Sequence, residues 1–285
     1  MTKTKERPKR EGIMLCHPVE ENKLLRLGDR FFSQPKLKGE RCRIQWFHNE
    51  PILITSQVNE FKFMNHIKEA LIERFGDIKP PLDGELYRHG WSEDKIRSVA
   101  SRTVNPHPEV EQLQFHIFDY QNVEHSQWFR TKILSDWLEE HRFVDPLYLV
   151  PTEIASMVDW TEKLGEYTAQ GYEGIILRSP IASYEMKRSP SILKFKPPEQ
   201  DTYQIVGVTE GNGWAEGMLG AFIVRGDDGV TFKVGSGKIL TKERRRYFWS
   251  IRGELMGKEL VVKHEKLKTS GGVPVCAVAY DILLK

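Results

Sequence analysis

Cysteine is scarce in this chain: Cys16, Cys42 and Cys276 are the only three in 285 residues, far apart and odd in number. Neither a disulfide framework nor a four-ligand zinc site is available from them, and the usage points to a reducing compartment. Long hydrophobic runs are also missing, since charge interrupts every apolar stretch after a few residues and no transmembrane span fits. The first ten residues, MTKTKERPKR, are basic and polar and lead into no apolar segment, which excludes a cleavable secretory signal. The chain is therefore expected inside the cell, in the cytoplasm, and not at a membrane or outside. Net charge is small as well, because 42 Lys and Arg against 40 Asp and Glu leave +2. Taken alone, that total argues against a polyanionic partner. What remains, 39% hydrophobic and 29% charged residues, is an ordinary globular composition with length enough for two domains.

The charge is unevenly placed. Lys3, Lys5, Arg7, Lys9 and Arg10 face only Glu6, so residues 1–12 read as a flexible basic tail. Between Lys233 and Lys268 eleven basic residues stand against Glu243, Glu254, Glu259 and Glu265, a local excess of seven. Pro197-Pro198 stops any regular element and marks a linker, dividing the chain into residues 1–198 and 199–285.

The second part reads as short strands at Tyr203 to Val208, Gly220 to Arg225, Val230 to Val234, Glu259 to Glu265 and Val275 to Ile282. Asp227-Asp228-Gly229 makes a hairpin turn between the second and third. Thr241 can cap a helix in which Tyr247, Phe248 and Ile251 recur at helical spacing. Three strands, a helix and two strands is the order of a five-stranded OB barrel.

The first part mixes both element types. Helices are expected around Phe63, Ile67, Leu71 and Phe75, around Ile133, Leu134, Trp137 and Leu138, and around Trp160, Leu164 and Tyr167. Strands are expected at Cys42 to Phe47, Ile52 to Thr55, Gly84 to Tyr87, Gln114 to Phe118 and Gly174 to Leu177. The two types do not alternate strictly, which predicts an α+β class rather than a doubly wound parallel sheet.

Four segments of this part suit a nucleotide and a metal: Lys36-Leu-Lys-Gly-Glu-Arg41, Asp83-Gly-Glu-Leu86, Glu173-Gly-Ile-Ile-Leu-Arg178 and Leu193-Lys-Phe-Lys-Pro197. A lysine near a glycine approaches phosphate closely, glutamates at strand ends offer oxygen ligands to a divalent cation, and Lys-x-Lys on a strand puts both ammonium groups on one face. Singly each matches by accident, but their order is informative.

Lys36-x-x-Gly39-x-Arg41, Asp83-Gly84-Glu85, Phe115-His-Ile-Phe118-Asp119, Glu173-Gly174 and Lys194-Phe-Lys196 together resemble motifs I, III, IIIa, IV and V of the covalent nucleotidyltransferases. Glu210-Gly-Asn-Gly213, Gly217-Met-Leu-Gly-Ala221, Phe232-Lys-Val-Gly-Ser-Gly237 and Arg244 before Trp249 resemble the OB domain of small ATP-dependent DNA ligases, of phage, viral or bacterial type. The resemblance implies an adenylation domain of antiparallel sheets with flanking helices, followed by an OB barrel. It implies ATP-dependent sealing of nicks in duplex DNA through a lysyl-AMP on Lys36 and an adenylated 5′-phosphate, with an RNA ligase or an impaired OB-fold nucleic-acid binder as alternatives. It gives Lys194 and Lys196 a charge-neutralising role at the phosphates, Glu173 and Glu85 the metal, Phe118 the adenine face, Gln34 a purine edge and Arg41 the ribose or nucleic-acid phosphates. Mg²⁺ is the implied metal, with Mn²⁺ able to substitute.

Three positions depart from the pattern. Lys38 stands where motif I carries an acid, which should favour phosphate beside Lys36; Gln57 stands where an arginine is usual; and Ala277-Val-Ala-Tyr-Asp281 offers no motif VI arginine. With 35 residues ahead of Lys36, no nicotinamide-recognising domain is expected, so ATP is the expected donor. Nicked duplex DNA is the expected partner of a monomer, gripped by backbone and without base sequence, through Lys238, Lys242, Arg244, Arg245 and Arg246.

Overall fold

The computed structural model describes residues 10–139, 143–264, 271–274 and 276–283. Lys3, Lys5, Arg7 and Lys9 of the basic tail, Glu265 and Lys268 at the end of the basic stretch, and Val275 and Lys285 lie outside them. The chain forms two compact units, Met1–Lys196 and Pro197–Lys285.

The first unit begins with β1 (Leu15–Pro18), the short α1 (Glu21–Leu24), β2 (Arg30–Lys36), β3 (Glu40–Phe47) and β4 (Glu50–Thr55). It continues with α2 (Asn65–Phe75), β5 (Leu82–Tyr87), α3 (Glu93–Ala100), β6 (Gln114–Tyr120) and α4 (Gln127–Glu139). Then come β7 (Phe143–Val144), β8 (Leu147–Leu149), β9 (Glu153–Ser156), α5 (Trp160–Ala169), β10 (Gly174–Arg178) and β11 (Arg188–Phe195). Two sheets result, ordered β4-β3-β5-β6-β8-β7 and β1-β11-β10-β2-β9. They are mixed rather than purely antiparallel, because β1 runs parallel to β11 and β6 parallel to β8.

Each sheet has its own core. Ile67, Leu71 and Phe75 recur at i, i+4 and i+8 on α2 and are fully buried against the six-stranded sheet, each contributing about 2 kcal/mol through apolar burial. Tyr167 on α5 packs with Phe31, Ile175, Leu177 and Leu193 of the five-stranded sheet.

Periodicity does not single out β2 or α3. Residues Phe31 to Pro35 of β2 are all buried, flanked by β10 and β9, so the strand lacks the alternation of a half-exposed one. The α3 helix is only two turns long, and its local signal is the Ser92 hydroxyl accepting from the Lys95 N–H at 3.2 Å, with Glu93 and Asp94 in the first turn. Residues 10–12 are not a free tail. The Glu11 N–H donates to the Ser56 carbonyl at 3.1 Å, and the Gly12 carbonyl accepts from Arg43 at 3.1 Å and Gln121 at 2.5 Å.

The second unit comprises β12 (Glu199–Glu210), β13 (Leu219–Arg225), β14 (Thr231–Val234), α6 (Lys242–Ser250), β15 (Glu259–His264) and β16 (Val278–Leu283). The strands are ordered β14-β13-β12-β15-β16, and every pairing is antiparallel. A hydrogen bond from the Ala279 N–H on β16 to the Ser236 carbonyl beyond β14, at 2.7 Å, draws the two ends of the sheet together. The interior holds Ile205, Phe222, Val224, Leu260 and Val262, and Phe248 of α6 packs on it. Thr241 caps α6, as its sequence suggests, by accepting from the Arg244 N–H at 3.3 Å.

Candidate active site

Lys36 ends β2, and Gly174 begins β10 directly opposite it in the ladder. The Glu173 N–H donates to the Lys36 carbonyl at 3.0 Å, which places the Glu173 carboxylate beside the lysine side chain. One carboxylate oxygen receives the Lys36 ammonium and the other receives Lys196 at 3.0 Å. Burial would raise the Glu173 pKa, but the two ammonium groups outweigh it and hold the carboxyl below its ordinary range. The glycines of the two motifs are there because backbone passes close. A Cβ on Gly174 would lie 2.1 Å from the Phe195 carbonyl oxygen, and one on Gly39 would lie 2.2 Å from that of Leu86.

Arg41 and Glu85 are cross-strand partners on β3 and β5. Burial pushes the Glu85 carboxyl up to about 7, against the pull of Arg41 and Lys36 and with some help from Glu40. Arg41 grips Asp83 with two donors, at 2.7 and 2.5 Å, and donates to the Met14 carbonyl at 3.3 Å. Asp83 is fully buried and also accepts from the Tyr184 hydroxyl at 2.6 Å. Although burial disfavours the Arg41 charge, Asp83 more than offsets it and raises the guanidinium pKa. The side chain expected to meet ribose or nucleic acid is thus held by protein along one edge, and its guanidinium carbon lies 4.5 Å from the Phe118 ring centre.

Phe118 is half-buried, with Arg178 also 5.4 Å from its ring centre. Gln34 is 2% exposed, and its amide orientation is set by the Phe118 carbonyl, which can only accept, and the Arg178 Nε, which can only donate. Its NH₂ donates to the Phe118 carbonyl at 3.2 Å and to the Thr152 hydroxyl at 2.9 Å, and its oxygen accepts from the Arg178 Nε at 2.8 Å. Both Gln34 donors are engaged, which leaves only an acceptor lone pair for anything else. Behind this layer, buried Asp119 pairs with Arg178 at 2.8 Å and with fully buried Arg130 at 2.7 Å.

These residues converge on a cavity of about 350 Å³, the scale of a small-ligand site. Gln34, Lys36, Arg41, Glu85, Phe118, Glu173 and Lys194 line it, and so do Lys38, Arg10, Arg178, Arg188 and Arg97. Arg97 is paired with Glu40 and Glu93, both at 2.6 Å.

In the second unit Lys238, Lys242, Arg244 and Arg246 are exposed. Arg245 is not, and this corrects the sequence expectation. It is 8% exposed, and its guanidinium donates to the carbonyls of Leu240, Leu219, Gly220 and Gly235 at 2.7 to 3.0 Å, so it braces α6 against the barrel. A second basic feature appears nearby: Lys238 and Lys263 both lie over the Tyr280 ring, at 3.4 and 3.6 Å from its centre.

Residues 13–196 match the family model of the ATP dependent DNA ligase domain, and residues 210–282 match that of the DNA ligase OB-like domain. The chain belongs to the ATP-dependent DNA ligase family. A DNA ligase of Haemophilus influenzae is 29% identical over 211 residues, covering 67% of this chain and 75% of that one. Among solved structures, a Lig E DNA ligase superposes with a TM-score of 0.62 at 23% identity, covering 95% of this chain and 99% of that one. The bacteriophage T7 ATP-dependent DNA ligase, solved with ATP, gives 0.56 at 13% identity, covering 94% and 97%. A chain named Pmar-Lig_PreS3 gives 0.65 at 24% identity; this chain spans 66% of its length. At such identities these structures show a shared fold, and the expected adenylation domain and OB-like domain are both present.

Sequence reasoning about this ligase missed the residues that hold the site in shape. Asp83, Asp119 and Arg178 lie inside quoted motifs without an assigned role, and a charge beside a motif glycine or aromatic was the available signal. Arg130 had no signal, since a lone arginine on α4 reads as a solvated face. As for metal, no group of three or more His, Cys, Asp or Glu side chains suited to an ion exists among the described residues. Glu85 and Glu173, two hard oxygen donors on one cavity, fit an ion that takes one or two carboxylates and completes its shell with phosphate and water, as Mg²⁺ does. No helix among the described residues is long and apolar enough to cross a membrane.

Proposed function

We propose that Lys36 is the nucleophile of this ligase and becomes a lysyl-AMP. The single observation that carries the reading is the placement of its ammonium on Glu173 inside the cavity that Phe118 and Gln34 also line. After losing one proton to solvent, the Lys36 amine attacks the α-phosphorus of ATP, an N–P bond forms as the bond to pyrophosphate breaks, and the nitrogen releases a second proton to solvent and keeps one N–H in the phosphoramidate. Lys194 and Lys196 face the phosphates and offset the charge that accumulates in transfer. Phe118 offers its ring to the base, and the free lone pair of Gln34 suits an exocyclic amine. Arg41, held by Asp83, orients Phe118 through its guanidinium face.

Glu173 and Glu85 would hold Mg²⁺, or Mn²⁺ in its place, which would supply charge neutralisation at the phosphates. Glu173 cannot pair fully with Lys36 and serve a cation at once, so a bound cation would compete with the Lys36 ammonium for this carboxylate. AMP then passes to the 5′-phosphate of a nick, giving a pyrophosphate-linked end, and attack by the 3′-hydroxyl seals the strand and frees AMP. The second unit holds duplex backbone on the exposed face bearing Lys238, Lys242, Arg244 and Arg246, without reading bases. The ligase acts as a monomer inside the cell.

Incubation with α-labelled ATP and Mg²⁺ tests this. The wild-type chain is expected to carry an acid-labile label and a Lys36→Ala variant none; a label that survives in the variant would refute the assignment. Nicked duplexes with RNA on either side of the break, compared with an all-DNA nick, then test the polymer.

A further inference from the structure

The cavity carries more positive charge than its carboxylates neutralise. Lys36, Arg41, Arg97 and Arg178 are each paired with an acid. Lys38, Lys194, Arg10 and Arg188 line the same cavity with no carboxylate partner among the described residues. Arg10, Arg188 and Lys194 are exposed and form its rim, and Arg188 donates to the Cys16 carbonyl. Lys38 differs from them: it is half-buried, two residues past Lys36, and separated from it by the buried side chain of Leu37.

An amine held inside a cavity without a counter-charge is costly unless a ligand supplies the anion. The ligand of this cavity does so, because the β- and γ-phosphates of a nucleoside triphosphate carry most of its charge and leave together as pyrophosphate. A nucleic-acid phosphate is a weaker fit for Lys38, since duplex backbone meets exposed surface and Lys38 lies within the cavity that Phe118 lines.

We propose that Lys38 holds the pyrophosphate portion of the nucleotide, backed by the rim cations, in both the forward adenylation and its reversal by pyrophosphate. This rests on the Lys36 reading above and deepens it. A lysine at this position thereby turns the loop after the nucleophile into a phosphate-binding element.

The test uses the full chain as wild type, Lys38→Met and Lys38→Arg. Three quantities are measured: the KM for ATP in lysyl-AMP formation without DNA, the half-saturating pyrophosphate concentration in reversal of the adduct, and the Kd of adenylated enzyme for a nicked duplex. Lys38→Met is expected to raise the first two together, by about tenfold, the worth of one charge-assisted hydrogen bond. The nick Kd is expected to move less than twofold, and Lys38→Arg to stay within about threefold of wild type throughout. An effect confined to nick binding assigns Lys38 to nucleic acid and overturns the proposal, as does a Lys38→Met variant unchanged in all three. If Lys38→Met fails to fold by thermal melt, Lys38→Gln is read in its place by the same criteria. A wild-type chain that forms no lysyl-AMP sinks the Lys36 reading and this one with it; a normal wild-type adduct with unmoved Lys38 variants sinks this one alone.

Discussion

Two buried arginines, Arg130 in the first unit and Arg245 in the second, are satisfied in opposite ways, while buried Arg43 of the first unit donates to the Gly12 carbonyl. In the first, Arg130 is fully buried on a carboxylate, Asp119, which it shares with Arg178, and the network ends on Gln34 at the cavity. In the second, Arg245 is buried on four backbone carbonyls and pairs with no acid among the described residues. The first unit therefore cancels much of its interior charge and uses the pairs to fix side-chain geometry. The second leaves Lys238, Lys242, Arg244 and Arg246 exposed, where a polyanion can reach them. The difference teaches that local charge density is a poor guide to the job a charge does. Arg244, Arg245 and Arg246 are adjacent in sequence, yet the middle one is structural and its neighbours are exposed.

The largest way to break this contrast is to remove Arg130. Arg130→Ala leaves Asp119 buried with half its compensation, and a loss of about 3–5 kcal/mol is expected in urea unfolding followed by a probe in the first unit. A loss below about 1 kcal/mol would mean the pair is replaceable by water. Next comes Arg245→Ala, expected to cost the second unit about 3 kcal/mol by freeing carbonyls from their donor. Its signature should be lowered barrel stability with lysyl-AMP formation retained.

The surface cations respond to salt instead. Lys242→Ala combined with Arg246→Ala is expected to leave stability within about 0.5 kcal/mol and to lower the slope of log nick affinity against log salt by about two. An unchanged slope would remove that face from the DNA interface.

The smallest effect concerns Glu85. Its folded pKa, about 7, lies above the ordinary 4.5, so the folded state binds the extra proton between those values. Stability contributed by this group is full below about pH 4.5 and declines as pH rises toward 7. Glu85→Gln should flatten that part of the stability profile, measured by thermal melts from pH 4.5 to 7.5. On the proposal that Glu85 holds Mg²⁺, the cation would have to displace this proton, so half-saturating Mg²⁺ in adenylation should rise as pH falls below 7. A wild-type profile already flat over that window would contradict the raised value.

Much of the fold was legible from residue spacing. The α2 helix announces itself through Ile67, Leu71 and Phe75, and α6 through the Thr241 cap. The barrel strand β14 is legible because it alternates exposed and buried residues, whereas β2 was hidden because Phe31 to Pro35 are all buried. The candidate site was legible as an ordered set of short motifs, seven of whose assigned side chains line one cavity, with Lys196 joining through Glu173. The supporting layer was not, because Arg130, Tyr184 and Thr152 contribute through partners 11 to 118 residues away.

By itself, then, the sequence determined the class of elements and the family, indicated a two-part organisation, and nominated the candidate reacting groups. These are written in local spacing and in motif order, which survive without knowledge of contacts. Only the tertiary structure decided which charges are available. Arg41 is gripped by Asp83, Gln34 has a single acceptor left, Arg245 is enclosed by carbonyls, and Lys38 lines the cavity with no acid partner among the described residues. A charge is free or engaged according to what folding brings within about 3 Å of it, and those partners are set by sheet register and packing across distant segments of the chain.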